Sequence, residues 1–161
     1  MPAPEDRIRA AADALGVVFA PRTFPEVTRT AAEAAAAVGC DVGAIVKSLV
    51  FIADGDPVLA LVSGANLVDT ARLATALGAG SVRKADADEA RAATGYAIGG
   101  TPPFGHSGTG VTRVLCDPDL LQHAVVWAAA GGPTSVFPLS PTDLIRATGA
   151  EPVDLTEEPI R

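Results

Sequence analysis

The sequence predicts an α/β fold built around a mixed β-sheet. Helical and strand patterns alternate along its 161 residues, and 48% of those residues are hydrophobic while 19% are charged. Two pairs of neighbouring strand patterns are typical of hairpins, which favour a mixed sheet over a doubly wound parallel one. The length is that of one domain, so we expect residues 1–161 to form a single domain.

The first third predicts two helices with a short strand between them. Apolar residues at helical spacing indicate a helix over 5–14, and the apolar run at 17–20 is typical of a strand. Thr30 is a candidate N-cap, and Glu33 stands three residues later, as in a capping box. The Ala-rich helix that begins there should end at Gly39.

The middle third predicts a hairpin, a helix, a strand and another helix. Two β-rich runs within 44–64 flank the turn residues 54–57, so we expect a hairpin at the centre of the sheet. An apolar stripe that begins at Leu67 indicates a helix. A strand over 81–85 and a helix over 86–94 follow.

The last third predicts a strand, a second hairpin and a final helix. Residues 111–117 are typical of a strand, and Asp117 begins a helical turn. The run 123–140 predicts a hairpin that turns at glycines 131 and 132. Ser140 is the N-cap of a helix that should end before Gly149.

Composition excludes several classes of protein. No apolar run reaches the roughly 18 residues of a membrane helix, and the acidic start does not resemble a secretory signal, so we expect a cytoplasmic protein. Cys40 and Cys116 are far apart and lack metal-ligand spacing, which indicates neither a zinc site nor a disulfide framework; both are expected to be buried. The net charge of −7 argues against a general nucleic-acid coat but leaves a local contact possible.

The familiar catalytic and nucleotide motifs are not met. The segment "GHSGTG" lacks the second glycine of a hydrolase nucleophile elbow, since Thr109 stands two residues after Ser107. The same glycines make neither a P-loop nor a dinucleotide fingerprint, because Val111, Thr112 and Arg113 occupy the required positions. These failures disfavour a serine esterase and those nucleotide folds.

Acidic pairs and one histidine have structural interpretations. Each acidic pair lies at a predicted turn or helix start, where aspartate is favoured by capping, so we expect capping rather than metal binding or acid–base chemistry. His123 is expected to be half-buried at a strand edge. The pairs are Asp54/Asp56, Asp86/Asp88 and Asp117/Asp119.

Two features could carry chemistry. Lys47 shares a strand face with Ile45 and Leu49, so its ammonium either reaches water at a strand end or meets an anion in a pocket. The stretch "GYAIGGTPPFGH", residues 95–106, combines glycines that admit close backbone approach with two prolines that stiffen the chain. Its amides suit an ester carbonyl, a phosphate or a carboxylate, and the alternative is a plain connecting loop.

These two features together resemble the YbaK/ProX family of aminoacyl-tRNA deacylases, which includes the editing domain inserted in bacterial prolyl-tRNA synthetases. The pattern is a strand lysine, here Lys47, followed by G-G-x-x-P-x-G, here Gly99, Gly100, Pro103 and Gly105. The later stretch "AAAGGPTSVFPLSPTDL" is similar to the closing hairpin and last helix of that family, with Gly131 and Gly132 at the turn. The resemblance covers about residues 25–150.

The resemblance implies a curved mixed sheet flanked by helices, and hydrolysis of the ester of mischarged tRNA with no metal or other cofactor. Lys47 would bind the 3′ end of the tRNA and orient the ester, while the backbone from Gly99 to Gly105 would hold the aminoacyl group and the attacking water. His106 either tunes the pocket or caps the loop. The implied catalytic residues are Lys47, Gly99, Gly100 and Gly105, and the implied substrate-binding residues are Thr101, Pro102, Pro103, Phe104, His106, Gly131 and Gly132.

Several alternatives stay open from the sequence. The first hypothesis is a free-standing trans-editing deacylase; the second is a non-catalytic relative that binds an amino-acid-like ligand or a synthetase; a serine esterase that uses Ser107 is the third. Alanyl, cysteinyl, seryl and threonyl groups are all possible substrates. The expected partner is the tRNA acceptor end, and a synthetase is a further candidate. Arg22, Arg83 and Lys84 are candidate rim charges.

Overall fold

The computed structural model describes residues 3–108 and 110–157, so Thr109 lies outside the described chain. Within those ranges helices and strands alternate, as the sequence predicts. The helices are α1 Pro4–Leu15, α2 Ala31–Val38, α3 Thr70–Leu77, α4 Ala87–Thr94 and α5 Pro141–Thr148. The strands are β1 Arg22–Thr23, β2 Ile45–Ala53, β3 Asp56–Ser63, β4 Val82–Lys84, β5 Val114–Cys116, β6 Val126–Ala129, β7 Ser135–Leu139 and β8 Glu151–Pro152. Short 3₁₀ turns lie at Val42–Ala44 and Pro118–Gln122.

One mixed sheet contains these eight strands. Its order is β1-β7-β6-β2-β3-β5-β8, and β4 pairs with β2 beside that path. The hairpin β2–β3 lies at the centre, antiparallel from Val46 opposite Ser63 to Ala53 opposite Asp56. Strand β6 runs parallel to β2, and β5 runs parallel to β3. The predicted α/β fold with a mixed sheet is therefore confirmed.

Alternation along β2 divides the core between the two faces of the sheet. Val46, Val50 and Ile52 belong to one apolar cluster, which includes buried residues of α1, α4 and β7. Phe51 and Ala53 belong to a second cluster, with α3 on the opposite face. This two-sided burial matches the near-continuous apolar pattern of β2 and β3 in the sequence.

Most predicted helix ends are confirmed, and one cap differs in detail. The hydroxyl of Thr30 accepts a hydrogen bond from the Glu33 N–H at 3.1 Å, and α2 stops at Gly39 in a left-handed conformation. The Glu33 carboxylate reaches past Thr30, however, and accepts from the Arg29 N–H at 2.7 Å. The complete reciprocal capping box is found at α4, between Asp86 and Glu89.

The predicted strand at 17–20 is wrong. Val17 is buried and Phe19 packs on Phe137 with ring centroids 5.0 Å apart, while Val18 is 79% exposed. Buried and exposed side chains do alternate in this segment, but it packs on the core without a strand beside it. Strand pairing begins later, at β1, which joins the free edge of β7.

Three smaller differences concern element length. Of the predicted strand 111–117, only Val114–Cys116 forms strand β5, and Leu67 lies before α3 and is 64% exposed. Strand β8 was not predicted, because two residues carry no periodicity.

Cys116 is buried as expected, whereas Cys40 is partly exposed.

No helix in the described part of the chain is both long and apolar enough to cross a membrane.

Candidate functional site

A gap in the sheet forms the candidate site. Strand β6 pairs with β2 only at Ile45 and Val46, and β4 pairs with it only from Phe51 to Ala53. The Ala85 N–H extends the pairing of β4 with β2 by one residue, because it donates to the Val50 carbonyl at 3.0 Å. Residues 47–49 therefore have no strand beside them on this edge, within the described ranges.

A cavity of about 230 Å³ opens at the gap. Its walls come from the start of α2, from the exposed edge of β2, from the Gly/Pro segment, and from the β6–β7 hairpin. The lining consists of 28–31, Ala34, 45–50, Lys84, Ala85, Ala90, Ile98, Gly99, Thr101, Trp127, Ala129, Gly132, Pro133, Ser135 and Val136. The sequence-predicted residues that meet here are thus Lys47, Gly99, Thr101, Gly132 and the rim candidate Lys84.

Lys47 is half-buried and donates a hydrogen bond from Nζ to the backbone oxygen of Asn66. Burial lowers the pKa of its ammonium, Asp117 opposes that shift, and Lys84 adds to it. One of the three Nζ donors is used by Asn66, which leaves two for a ligand. The snorkelling alternative does not describe this lysine, because its head group is held by the protein.

The Asn66 carbonyl is itself fixed by a buried carboxylate. Asp117 is 1% exposed and accepts from the Asn66 side-chain amide at 2.8 Å, from the Ser63 N–H at 3.1 Å and from the Asp119 N–H at 2.9 Å. The bond to Asp119 is the expected cap of the 3₁₀ turn. The other two bonds tie the loop after β3 to the end of β5, so Asp117 also supports the Lys47 partner.

The Gly/Pro segment approaches the cavity through its first residues. The Gly100 N–H donates to the Ala97 carbonyl at 3.0 Å, and the Thr101 hydroxyl donates to the same carbonyl at 3.1 Å. A Cβ on Gly100 would lie 2.8 Å from the Gly132 Cα, so only glycine allows this segment to pack on the hairpin. Among the described residues, the N–H groups of Gly99 and Thr101 have no backbone partner.

The rest of the segment lies behind the cavity wall. Pro102, Pro103 and Phe104 are buried, and Phe104 packs edge-on against Phe137 with ring centroids 5.8 Å apart. Gly105 faces α1, where a Cβ would lie 2.8 Å from the Ala11 Cβ. These residues do not line the cavity and can act on it by fixing the shape of the segment.

His106 caps this segment. Its Nε2 donates to the Pro102 carbonyl at 2.8 Å, and its ring lies edge-on to Tyr96. Burial lowers the pKa of the imidazole, and the hydrogen bond to Pro102 opposes the shift. Of the two roles left open for His106, the geometry favours the cap.

The two hairpin glycines have different surroundings. Gly132 lines the cavity, and a Cβ there would meet nothing within 4 Å. Gly131 has a φ of 103° and faces Pro4, outside the lining.

Two of the three candidate rim charges are occupied elsewhere. The Arg83 guanidinium pairs with Glu89 at 2.6 and 2.7 Å, and these bonds lower the pKa of Glu89 to about 2. Arg22 donates to the Val38 carbonyl at 3.2 Å, lies over the Trp127 ring 5.7 Å from its centroid, and is outside the lining. Arg29 lines the cavity instead, a position that the sequence did not single out.

Ser48 and Trp127 are two further lining residues that the sequence did not single out as site residues. The Ser48 hydroxyl is buried and has no hydrogen-bond partner among the residues that the structure describes, which costs about 1–3 kcal/mol when no ligand supplies one. A signal for Ser48 exists in the sequence, because a serine replaces an apolar residue between Val46 and Val50 on the core face of β2. Trp127 has no such signal, since an apolar strand residue is ordinary.

The described residues offer no activated nucleophile at the cavity. Burial raises the pKa of the Cys116 thiol to about 12, and Cys40 lies outside the lining. The Ser107 hydroxyl accepts from Arg7 at 2.7 Å, also outside the lining. No three His, Cys, Asp or Glu side chains in the described ranges are placed to hold a metal ion.

Comparison with known proteins identifies the family. The family description "Aminoacyl-tRNA editing domain" matches residues 25–147, so the chain belongs to the aminoacyl-tRNA editing domain family. The proline–tRNA ligase of Nitratidesulfovibrio vulgaris (strain DP4) is 38% identical over 112 residues, which are 70% of this chain and 18% of the ligase. That of Streptococcus pyogenes serotype M1 is 31% identical over 148 residues, 92% of this chain and 22% of the ligase. The chain therefore spans about a fifth of the length of these relatives.

Solved structures agree with this membership. A crystal structure provisionally described as a trans-editing enzyme for prolyl tRNA synthetase has a TM-score of 0.90 at 40% identity, covering 98% of this chain and 99% of that one. The crystal structure of a hypothetical protein has a TM-score of 0.85 at 29% identity, covering 94% of this chain and 99% of that one. The resemblance inferred from Lys47 and the Gly/Pro segment is confirmed at the level of family and fold.

Proposed function

We propose that this chain, as a single editing domain, hydrolyses the ester between an incorrectly attached amino acid and tRNA, and that it does so in trans. One observation carries the proposal: in a member of the editing family, the same cavity is lined by a half-buried lysine and by two residues whose N–H groups have no backbone partner within the described ranges. An aminoacyl ester is already activated, so positioned water and oxyanion stabilisation can suffice without a side-chain nucleophile.

In this proposal Lys47 binds the terminal adenosine of the tRNA. Burial has already removed part of the water around its ammonium, and Asn66 holds the side chain in place. A compact ammonium with two free donors can contact a phosphate and a ribose hydroxyl together. Arg29 and Lys84, which line the same cavity, supply further positive charge.

The Gly99 and Thr101 N–H groups then stabilise the oxyanion. A water oxygen attacks the ester carbonyl carbon, and the carbonyl oxygen becomes negatively charged while it accepts hydrogen bonds from these groups. The bond from that carbon to the ribose oxygen breaks, and the ribose oxygen takes the proton that the water loses. The products are a free amino acid and a tRNA with a free 3′ end, and one such donor contributes about 10²–10³ in rate.

The proposed substrate is tRNA for proline that carries another amino acid. The curated relatives are proline–tRNA ligases, and a similar crystal structure is described as acting for prolyl tRNA synthetase. Because the partner would be aminoacyl-tRNA in use for translation, we place the activity in the cytoplasm. A synthetase that delivers the tRNA is a further proposed partner.

The test is release of amino acid from proline tRNA charged separately with alanine, serine, cysteine, threonine and proline. We expect wild type to release at least one amino acid other than proline. Lys47→Ala should lower kcat/KM by about a hundredfold, because a hydrogen-bonded charge contact is lost. Circular dichroism would verify that the variant is folded.

Ser107→Ala is the matched control, because this hydroxyl lies outside the cavity. It should keep full activity; loss of activity in Ser107→Ala would favour a serine esterase. No release above the spontaneous rate by folded wild type would contradict the proposal and favour the non-catalytic relative that binds an amino-acid-like ligand.

A further inference from the structure

The backbone of Ser48 faces the gap in the sheet. The Ile45 carbonyl accepts from Gly64 at 2.8 Å on the β3 side, whereas the Val50 carbonyl accepts from Ala85 at 3.0 Å on the β4 side. Peptide groups alternate between the two edges of a strand, so the N–H and C=O of Ser48 share the edge of Val50. At this position neither β4 nor β6 provides a partner.

The side chains around the gap place two lysines on one face of the sheet and Ser48 on the other. Ser48 lies on the sheet face of Val46 and Val50, which pack in the apolar cluster that contains Ala90. Lys47 lies on the opposite face, and so does Lys84, which pairs directly with Phe51 of β2. A ligand that spans the gap therefore meets both lysines on one face, beside Ile45 and Leu49, and Ser48 on the other face.

An aminoacyl-tRNA end fits this distribution of charge in one orientation. Its phosphates belong with Lys47 and Lys84, so its aminoacyl group lies on the Ser48 face. Ser48 on β2 and Thr101 on the Gly/Pro segment both line the cavity and carry a hydroxyl. The Thr101 hydroxyl donates to the Ala97 carbonyl, whereas the Ser48 hydroxyl is buried and has no hydrogen-bond partner in the described part of the chain. The Ser48 face of the cavity thus contains an unused hydrogen-bonding group.

We propose that Ser48 is a specificity-determining residue whose hydroxyl hydrogen-bonds a hydroxyl on the β carbon of the aminoacyl group, so that the site prefers a seryl ester to an alanyl ester. This inference rests on the proposed function. Alanine and serine differ by this hydroxyl alone, and an apolar pocket separates such pairs poorly. A buried polar group that a substrate hydroxyl must satisfy separates them by at least about tenfold.

The test compares seryl- and alanyl-tRNA for proline with wild type and Ser48→Ala. We expect wild type to show a kcat/KM ratio of seryl to alanyl ester of about ten or more, and the ratio to fall by about tenfold in Ser48→Ala. Ser48→Thr, which keeps a hydroxyl at this position, should preserve a preference for the seryl ester. Ser107→Ala removes a serine hydroxyl outside the cavity and should leave the ratio as in wild type.

A binding measurement makes the inference independent of turnover. Adenosine that carries serine or alanine through a 3′ amide is not an ester substrate, so it measures binding alone. Calorimetry should show tighter binding of the seryl compound to wild type, and Ser48→Ala should lose this preference. An equal loss of affinity for both ligands in Ser48→Ala would overturn the inference, since the Ser48 hydroxyl would then contact a group common to both. No difference between wild type and Ser48→Ala would overturn it as well. If these ligands bind with the expected preference but no ester is cleaved, the proposed hydrolysis fails while the Ser48 contact stands.

Discussion

At the residue scale, the charge of Lys47 depends on a balance of burial and a buried acid. Desolvation lowers the pKa of its ammonium, and the Asp117 carboxylate opposes that shift. Asp117 also holds Asn66, whose carbonyl accepts the hydrogen bond from Lys47. One acidic side chain therefore affects both the position and the protonation of the proposed tRNA-binding cation.

Asp117→Asn should move the alkaline limit of ligand binding to lower pH. Lys47 binds an anion only while protonated, so binding is lost as the pH rises through its pKa, which burial already places below the ordinary value near 10.4. Removing the Asp117 charge lowers that pKa further, and the loss should begin at lower pH than in wild type. The measurement is affinity for proline tRNA with an amide-linked amino acid across neutral to alkaline pH.

Asp119→Asn separates charge from geometry. Asp119 is exposed and also accepts from the Asn66 amide at 2.8 Å, but it does not figure among the groups that shift Lys47. Its variant should leave the alkaline limit in place. An unchanged limit in Asp117→Asn, with the fold intact, would contradict the electrostatic link to Lys47.

At the element scale, the sequence predicted most helices and strands and missed the contacts between them. Period-2 runs and capping residues predict the positions of β2, β3 and all five helices, because those signals are local. The strand at 17–20 was wrong because alternation reports burial, whereas a strand needs a neighbour. The gap opposite Ser48 depends on where β4 and β6 end along β2, and no local pattern records that register.

The packing of the Gly/Pro segment on the β6–β7 hairpin yields a stability prediction. In Gly100→Ala the new Cβ would lie 2.8 Å from the Gly132 Cα and 2.9 Å from its nitrogen, so one backbone must shift. We expect a loss of about 1–3 kcal/mol in the free energy of unfolding, as for other overpacked sites. Urea denaturation of wild type and variant measures it.

Gly132→Ala provides the reciprocal comparison. A Cβ at Gly132 meets nothing within 4 Å and its φ is not in the left-handed region, so the unfolding free energy should change by less than about 0.5 kcal/mol. Equal destabilisation by the two variants would show that the contact does not fix the segment as described.

At the scale of the whole molecule, charge limits how the protein could hold the tRNA that is proposed as its substrate. The net charge is −7, yet Arg29, Lys47 and Lys84 all line one cavity. Composition argues against a basic coat and leaves a local contact possible, but it does not identify which cations line the cavity. The Arg83 guanidinium is paired with Glu89, and the sequence does not predict this pairing because ion pairs across a turn depend on the fold.

The affinity for tRNA should therefore depend only weakly on salt concentration. Contacts from three cations to single-stranded phosphates give a slope of about −2 in log affinity against log salt concentration. We expect that slope for proline tRNA with an amide-linked amino acid, measured by fluorescence anisotropy in KCl. An acceptor-stem fragment should bind within about twofold of the full tRNA, since a net charge of −7 gives the remainder of the tRNA little attraction to the protein.

A slope steeper than about −5 would mean that many more phosphates are bound, and would contradict a contact confined to the acceptor end.

The gap in the sheet also has a consequence for the order in which the chain folds. Its two sides are β6 and β4, which reach β2 from residues 126–129 and 82–84, while β2 and β3 meet through a turn of two residues. Local pairings form faster than distant ones, because closing a long loop costs more chain entropy. A chain that has formed only the β2–β3 hairpin already carries Lys47 and Ser48 but has no cavity between them and the rest of the protein. Capacity to bind ligand is thus acquired late in folding, and its recovery reports completion of the sheet.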